Sequence, residues 1–207
     1  RDYDIDLTII GPEISLSEGI VDFFHEKNYL IVGPTQKAAQ IETSKAFSKK
    51  LMNDYNIPTA TAEIFSSAKL AKEFIKSTTL PIVIKVDGLA SGKGVVICEN
   101  LDQAISTVDR FLVAREFGAA GNRILVEEFL SGREVSVFGI TDGNYLSPLI
   151  AACDYKRLLD DNLGPNTGGM GSYSPPEFWT ETLSDSIRDE IMIPTINAMK
   201  RIGYPFM

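Results

Sequence analysis

Ile82-Val83-Ile84-Lys85-Val86-Asp87-Gly88-Leu89-Ala90-Ser91-Gly92-Lys93-Gly94-Val95-Val96-Ile97 carries an apolar run into a glycine-rich basic loop and a second apolar run out of it. Glycines at 88, 92 and 94 let backbone N–H groups approach an anion with no Cβ in the way, and Lys85 and Lys93 bring positive charge to the same place. The flanks decide which kind of phosphate loop this is. A P-loop reads G-x-x-x-x-G-K-[ST] and opens a helix, whereas this loop has one residue fewer between its first two glycines and Gly94 where the metal-binding hydroxyl belongs. Val95-Val96-Ile97 is β-branched and reads as a strand. The segment is therefore a hairpin between two strands, a flap suited to covering a nucleotide.

Within the entering strand Ile82, Ile84 and Val86 share one face, so Val83 and Lys85 point the other way. A lysine just before a phosphate flap is placed to bind a phosphate as a point charge; the plain alternative is a solvated strand lysine. Around this hairpin, Thr59 to Phe65 is β-prone, Ser66 or Ser67 caps a helix through Ile75, and a helix from Leu101 to about Arg115 carries Leu101, Ile105, Val108, Phe111 and Leu112 on one stripe. Arg123 to Phe129 returns as a strand, completing a small α+β module.

Upstream, residues 1–34 read as a β-α-β piece of a parallel sheet, with a capping box at Ser15-Leu16-Ser17-Glu18 for a helix through about His25. Thr35 to Tyr55 is helical with a break near Glu42-Thr43, sending Ala46, Phe47 and Leu51 to a core and Lys49 and Lys50 to water. Downstream, Glu134 to Thr141 and Tyr145 to Cys153 form an antiparallel pair about Asp142-Gly143. Asp154 to Ser174 then reads as a long glycine-rich loop, and Thr180 to Arg201 as a closing amphipathic helix. The division expected is 1–36, a partial N-terminal α/β domain; 37–57, connecting helices; 58–127, a lid with the glycine loop; and 128–207, a partial second subdomain.

Acidic residues outnumber Lys and Arg by 28 to 20, a net charge of −8, which argues against a nucleic-acid surface. Cys98 and Cys153 each follow apolar residues and read as buried free thiols, in keeping with a reducing cytoplasm. No apolar run approaches bilayer length. The chain opens on Arg1 and closes on Gly203-Tyr204-Pro205-Phe206-Met207, so the expectation is an internal piece of a longer protein. A single histidine without a matching nucleophile leaves nothing for nucleophilic catalysis to activate.

Two further constellations stand out. Leu125-Val126-Glu127-Glu128-Phe129-Leu130-Ser131-Gly132-Arg133-Glu134 places carboxylates at the end of an apolar strand, where backbone could meet an adenine edge and a carboxylate a ribose hydroxyl, or where the chain simply turns. Asp154-Tyr155-Lys156-Arg157 together with Gly164-Pro165-Asn166-Thr167-Gly168-Gly169-Met170-Gly171 combines both signs of charge with bare backbone, fit for close contact with a small substrate or for a surface loop without a role.

These segments, with Ile10-Gly11-Pro12-Glu13, Gly33-Pro34-Thr35, Ser44-Lys45-Ala46-Phe47 and Ile57-Pro58-Thr59, resemble in order those of the ATP-grasp superfamily, and within it the phosphoribosylamine-glycine ligase family. The resemblance covers nearly the whole chain; the glycine loop points only to the superfamily, the D-x-K-R and G-P-N-T-G-G-M-G pair to the ligase. It implies an α+β ATP-grasp fold, two subdomains around a nucleotide cleft, preceded by a remnant of an α/β domain. It implies that Lys45 and Lys85 hold ATP phosphates under a flap comprising Gly88, Ser91, Gly92, Lys93 and Gly94, that Glu127, Phe129 and Leu130 line the adenine, and that Glu134 binds ribose. Asp154, Lys156, Arg157, Asn166 and Thr167 would serve the reaction, and Gly11, Pro12, Glu13, Gly168, Gly169, Met170 and Gly171 the substrates glycine and 5-phosphoribosylamine. In the family, ATP phosphorylates the glycine carboxylate and the amine attacks the acyl phosphate. The ligands for Mg2+ or Mn2+, and a glycine-rich opening strand, are expected outside these residues, so the isolated segment is expected to turn over slowly or not at all. Another ATP-grasp ligase and a non-catalytic ATP-binding fragment are the alternatives; a kinase-like transferase is disfavoured by the lack of H-R-D and D-F-G segments.

Overall fold

The computed structural model describes residues 4–90, 92–160 and 163–206, and at 165 and 166 the backbone alone. At its start β1 (Thr8–Ile9) pairs in parallel with β2 (Ile31–Val32), and two short helices, α1 (Glu13–Ser17) and α2 (Ile20–Glu26), connect them. The single helix expected from a capping box at Ser15 is not what forms. Pro12, at the N-cap of α1, starts the helix before Ser15, and Gly19, at φ +84°, breaks the run before α2, a conformation glycine adopts without the Cβ penalty.

Next come α3 (Gln40–Thr43) and α4 (Lys45–Asp54), separated at Ser44, whose extended backbone leaves its hydroxyl to accept from Phe47 N as the cap of α4. The break foreseen near Glu42-Thr43 thus falls at Ser44. The central unit is an antiparallel sheet of β3 (Ala62–Phe65), β4 (Ile82–Val86), β5 (Val95–Cys98) and β6 (Ile124–Glu128), in the spatial order β3-β6-β4-β5. One face is covered by α5 (Ala68–Ile75), capped by Ser67, and α6 (Leu101–Val108), capped by Asn100.

Period-2 alternation in β4 explains that layer. Ile82, Ile84 and Val86 are fully buried against Ile75, Val108, Phe111 and Ile124, each such side chain contributing about 1.5–3 kcal/mol by leaving water. The stripe on α6 is rotated from the expected one. Ala104, Thr107, Val108 and Phe111 are buried, an i, i+3, i+4, i+7 set, while Leu101 in the first turn is exposed and a π-helical turn, Asp109–Val113, carries Phe111 inward.

Beyond the sheet, β7 (Ser136–Phe138) and β8 (Ile150–Asp154) pair antiparallel, with a bridge between Thr141 and Leu146 and Asp142 accepting from Asn144 N and Tyr145 N in the turn. The stretch read as one long loop contains strands. β9 (Arg157–Leu159) pairs with β10 (Leu163–Asn166), and β11 (Ser172–Tyr173) adds to β8. Runs of two to four residues with glycine inside them are too short to show alternation in sequence.

The C-terminal helix is α7 (Glu181–Ile187), a π-helical turn (Arg188–Met192), then α8 (Ile193–Arg201). Pro194, near the start of α8, has no N–H to give to the preceding turn, which accounts for the wider turn just before it. Ala198 and Met199 of α8 pack with Ala38, Leu51 and Ile57 in a second core, and Tyr204 and Phe206 fold onto it, so the apolar terminal stretch is tied down. Cys98 and Cys153 are buried free thiols, and among the described residues no helix is long and apolar enough to cross a membrane.

Candidate functional site: a lysine pocket under a glycine flap

The flap begins where β4 leaves the sheet. Antiparallel register pairs Val83 with Glu127 and Lys85 with Leu125, so Lys85 stands on the face of the sheet opposite the apolar core. Its Nζ lies 2.7 Å from Glu127 Oε2. Glu127 is buried, and its Oε1 lies 3.4 Å from Lys49 Nζ, which also donates to Thr59 Oγ1 (2.8 Å) and Ala60 O (2.7 Å). Lys49, expected in water, is therefore 7% exposed. Its position four residues after Lys45 was the available signal, because i and i+4 share a helix face.

Lys45 opens α4 and reaches back to donate from Nζ to Gly88 O at 3.0 Å. Together Glu42, Lys45, Lys49, Thr59, Lys85 and Glu127 line a pocket of about 390 Å³. Burial pulls the Lys45 ammonium below its ordinary range, Glu42, Asp87 and Glu127 push it back up, and Lys85 opposes them. Burial raises the Glu42 carboxyl, Lys45 lowers it, and Glu13 raises it further. Glu13 itself is exposed at the start of α1, with Pro12 as the cap of that helix and Gly11 exposed just before it.

Glu42 makes the stability of the fold depend on pH. Between its ordinary value of 4.5 and its raised folded value, the folded protein binds more protons than the unfolded chain, so stability falls as pH rises through that window. Glu42→Gln is expected to remove this fall, which urea unfolding at a series of pH values checks; an unchanged slope would refute it.

The three flap glycines have different reasons to be bare. A Cβ on Gly94 would meet the side chains of Val86 and Ala90, so this glycine lets the base of the flap close on itself, and one on Gly88 would sit 2.8 Å from Ala120 Cβ, so that glycine lets the flap's root pack against the turn Gly118–Gly121. Gly92, at φ +75°, has open space around it and is the flap's free tip. Lys93 beside it is exposed, and Ser91 lies outside the described residues.

A second, larger cleft of about 940 Å³ lies where the chain leaves β6 and meets β8 and β9. Phe129 and Leu130 line it, both exposed, with Glu134, Asp154, Lys156, Arg157 and Met170. Glu134 accepts from Lys156 Nζ at 3.0 Å, and Asp154 Oδ1 is 3.6 Å from the same nitrogen; the Glu134 hydrogen bond leads in raising the Lys156 pKa. The glycine-rich segment folds back on Asp154–Arg157: Thr167 N donates to Lys156 O, Met170 N to Tyr155 O, and Tyr155 N to Gly171 O. Arg157 Nη1 donates to Gly164 O at 2.7 Å, and Gly169, at φ +99°, donates its N–H to Thr167 Oγ1 while Gly168 is open. The side chain of Asn166 lies outside the described residues.

The candidate residues therefore divide into two groups. Lys45, Lys85 and Glu127 line the lysine pocket, whereas Phe129, Leu130, Glu134, Asp154, Lys156, Arg157 and Met170 line the larger cleft. Glu127 parts from Phe129 and Leu130 because β6 ends at Glu128 and the two lysines hold the Glu127 carboxylate on the sheet. Lys49 and Glu42 are the pocket's additions to the expected set. Among the described residues no three His, Cys, Asp or Glu side chains converge as a metal site.

A sheet with a glycine hairpin, basic groups beneath it and a second sheet across a cleft is the arrangement of the ATP-grasp class. The D-alanine–D-alanine ligase of Bacillus anthracis, solved in complex with ATP, shares this fold at 18% identity with a TM-score of 0.63, over 99% of this chain and 63% of that one. Within the class, the family model described as phosphoribosylglycinamide synthetase, ATP-grasp (A) domain, matches residues 43–207, and the N domain of the same synthetase matches residues 1–42. The chain belongs to the phosphoribosylglycinamide synthetase family. It is 45% identical to the phosphoribosylamine–glycine ligase of Neisseria meningitidis serogroup B over 206 residues, all of this chain and 49% of that protein. The crystal structure of the Thermotoga maritima phosphoribosylamine–glycine ligase superposes with a TM-score of 0.81 at 33% identity, over 99% of this chain and 49% of that one. The chain spans about half the length of the curated relatives it matches.

Proposed function

We propose that the full-length protein joins glycine to 5-phosphoribosylamine at the expense of ATP, giving glycinamide ribonucleotide, ADP and phosphate in the cytoplasm. The observation that carries this reading is the lysine pocket at the root of the flap, whose charged lining among the described residues is Lys45, Lys49 and Lys85 against Glu42 and Glu127. One cation is left over, and an enclosed excess of positive charge is a site for a phosphate group.

In this reading Lys45 and Lys85 hold the ATP phosphates, Lys85 exchanging Glu127 for a phosphate oxygen, while Gly88, Ser91, Gly92, Lys93 and Gly94 close over them. Residues 58–127 act as the lid. The base lies along Glu127, Phe129 and Leu130, with Glu134 on the ribose. Asp154, Lys156, Arg157, Asn166 and Thr167, with Gly168, Gly169, Met170 and Gly171, surround the reacting groups, and Gly11, Pro12 and Glu13 support the amine substrate. A divalent cation, Mg2+ or Mn2+, would screen the phosphates when bound. The glycine carboxylate attacks the γ-phosphorus and expels ADP; the amine nitrogen then attacks the acyl carbon, expels phosphate and loses a proton. No covalent enzyme intermediate is required, so the protein's contribution is positioning and charge neutralisation.

The test is ADP release by the full-length protein, with each substrate omitted in turn. Dependence on both glycine and 5-phosphoribosylamine is expected. ADP release that ignores the phosphoribosylamine, or that runs better on another amino acid, would replace this reading with a different ATP-grasp ligation.

A further inference from the structure

Asp87 lies at the base of the flap, is 8% exposed, and lines neither the lysine pocket nor the larger cleft. Its carboxylate is nonetheless the meeting point of three elements. Oδ1 accepts from Ser44 Oγ (2.9 Å) and from Ala46 N (2.8 Å), at the first turn of α4. Oδ2 accepts from Arg123 Nε (3.0 Å) and from Arg123 Nη2, just before β6. Its backbone adds two bonds, accepting from Lys45 N (3.1 Å) and donating to Arg123 O (3.0 Å).

We propose that Asp87 is the positioning residue for Lys45, locking the first turn of α4 to the root of the flap so that the lysine and the flap move as one unit. Lys45 sits between Ser44 and Ala46, both bonded to the Asp87 carboxylate, and its own N–H is held by the Asp87 carbonyl, so its backbone is fixed from three sides. The ammonium of Lys45 then bonds to Gly88 O, the residue after Asp87. A carboxylate at a helix N-terminus accepts N–H groups that otherwise lack partners and is favoured by the helix dipole. Arg123 supplies the counter-charge that makes burial of this carboxylate tolerable.

This inference rests on the nucleotide reading of the lysine pocket, and its test separates the two. Asp87→Asn keeps the shape but turns one acceptor into a donor, breaking the bonds on one side of the hub. In the full-length protein it is expected to raise the KM for ATP at least tenfold while kcat and the KM for glycine stay within twofold. A purely structural role would instead lower the active fraction, reducing kcat at unchanged KM, and that result overturns the assignment. Ser44→Ala, which removes one bond to Asp87, is expected to raise the ATP KM about threefold; if Asp87→Asn does not fold, an unchanged ATP KM in Ser44→Ala overturns it. Wild-type protein that neither binds ATP nor releases ADP overturns the nucleotide reading itself, whereas wild-type binding matched by Asp87→Asn overturns only the role of Asp87.

Discussion

Glu127→Ala is expected to lower the free energy of unfolding by about 3–5 kcal/mol, the usual cost of removing one partner from a buried ion pair. Glu127 is the anion that Lys49 and Lys85 share, and its side chain is only 6% exposed. Without it, Lys49 keeps its bonds to Thr59 Oγ1 and Ala60 O but has no counter-charge, and its exposure is too small for water to take over. The loss falls at the middle of the central sheet, since Glu127 pairs with Val83 on one side and Ala62 on the other. The midpoint of urea unfolding measures the effect. A loss below about 1 kcal/mol, the range of exposed pairs, would mean that the triad is screened and that its charges are not organised as described.

What the sequence makes visible here follows the range of the interaction. The flap is legible because β-branched residues flank it on both sides, and the outward turn of Lys85 is legible because strand parity needs only its neighbours Ile84 and Val86. The break before α4 is legible to within two residues because Ser44 caps locally. The burial of Lys49 is not, since its anion belongs to a strand far along the chain and the i, i+4 spacing from Lys45 gives only the helix face. Asp87 fails for the same reason, its partners being Ser44, Ala46 and Arg123. The strands β9, β10 and β11 fail for a different one: their pairing is fixed by the fold of Gly164–Gly171 over Asp154–Arg157, which two- to four-residue runs do not announce. For the site, the sequence brings out the lysines and glycines individually, while the division into a lysine pocket and a wider cleft depends on where β6 stops.

The same triad predicts that its two lysines fail in opposite ways. Lys85→Ala is expected to weaken ATP binding by roughly 10- to 100-fold, the 1.5–3 kcal/mol of a hydrogen bond to a charged group, while changing stability little. The reason is exposure: the Lys85 side chain is 29% exposed and faces the pocket, and Glu127 keeps Lys49 after the change. Lys49→Ala takes away instead the cation whose side chain is 8% exposed, along with its bonds to Thr59 and Ala60, so stability falls while Lys45 and Lys85 still face the phosphates. Calorimetric titration with ATP, run beside urea unfolding on both variants of the full-length protein, separates the two outcomes. Unchanged ATP affinity in folded Lys85→Ala would remove this lysine from the phosphate site. An equal loss of affinity in Lys49→Ala would show that the three lysines act as one diffuse field, without the division of labour that their burial implies.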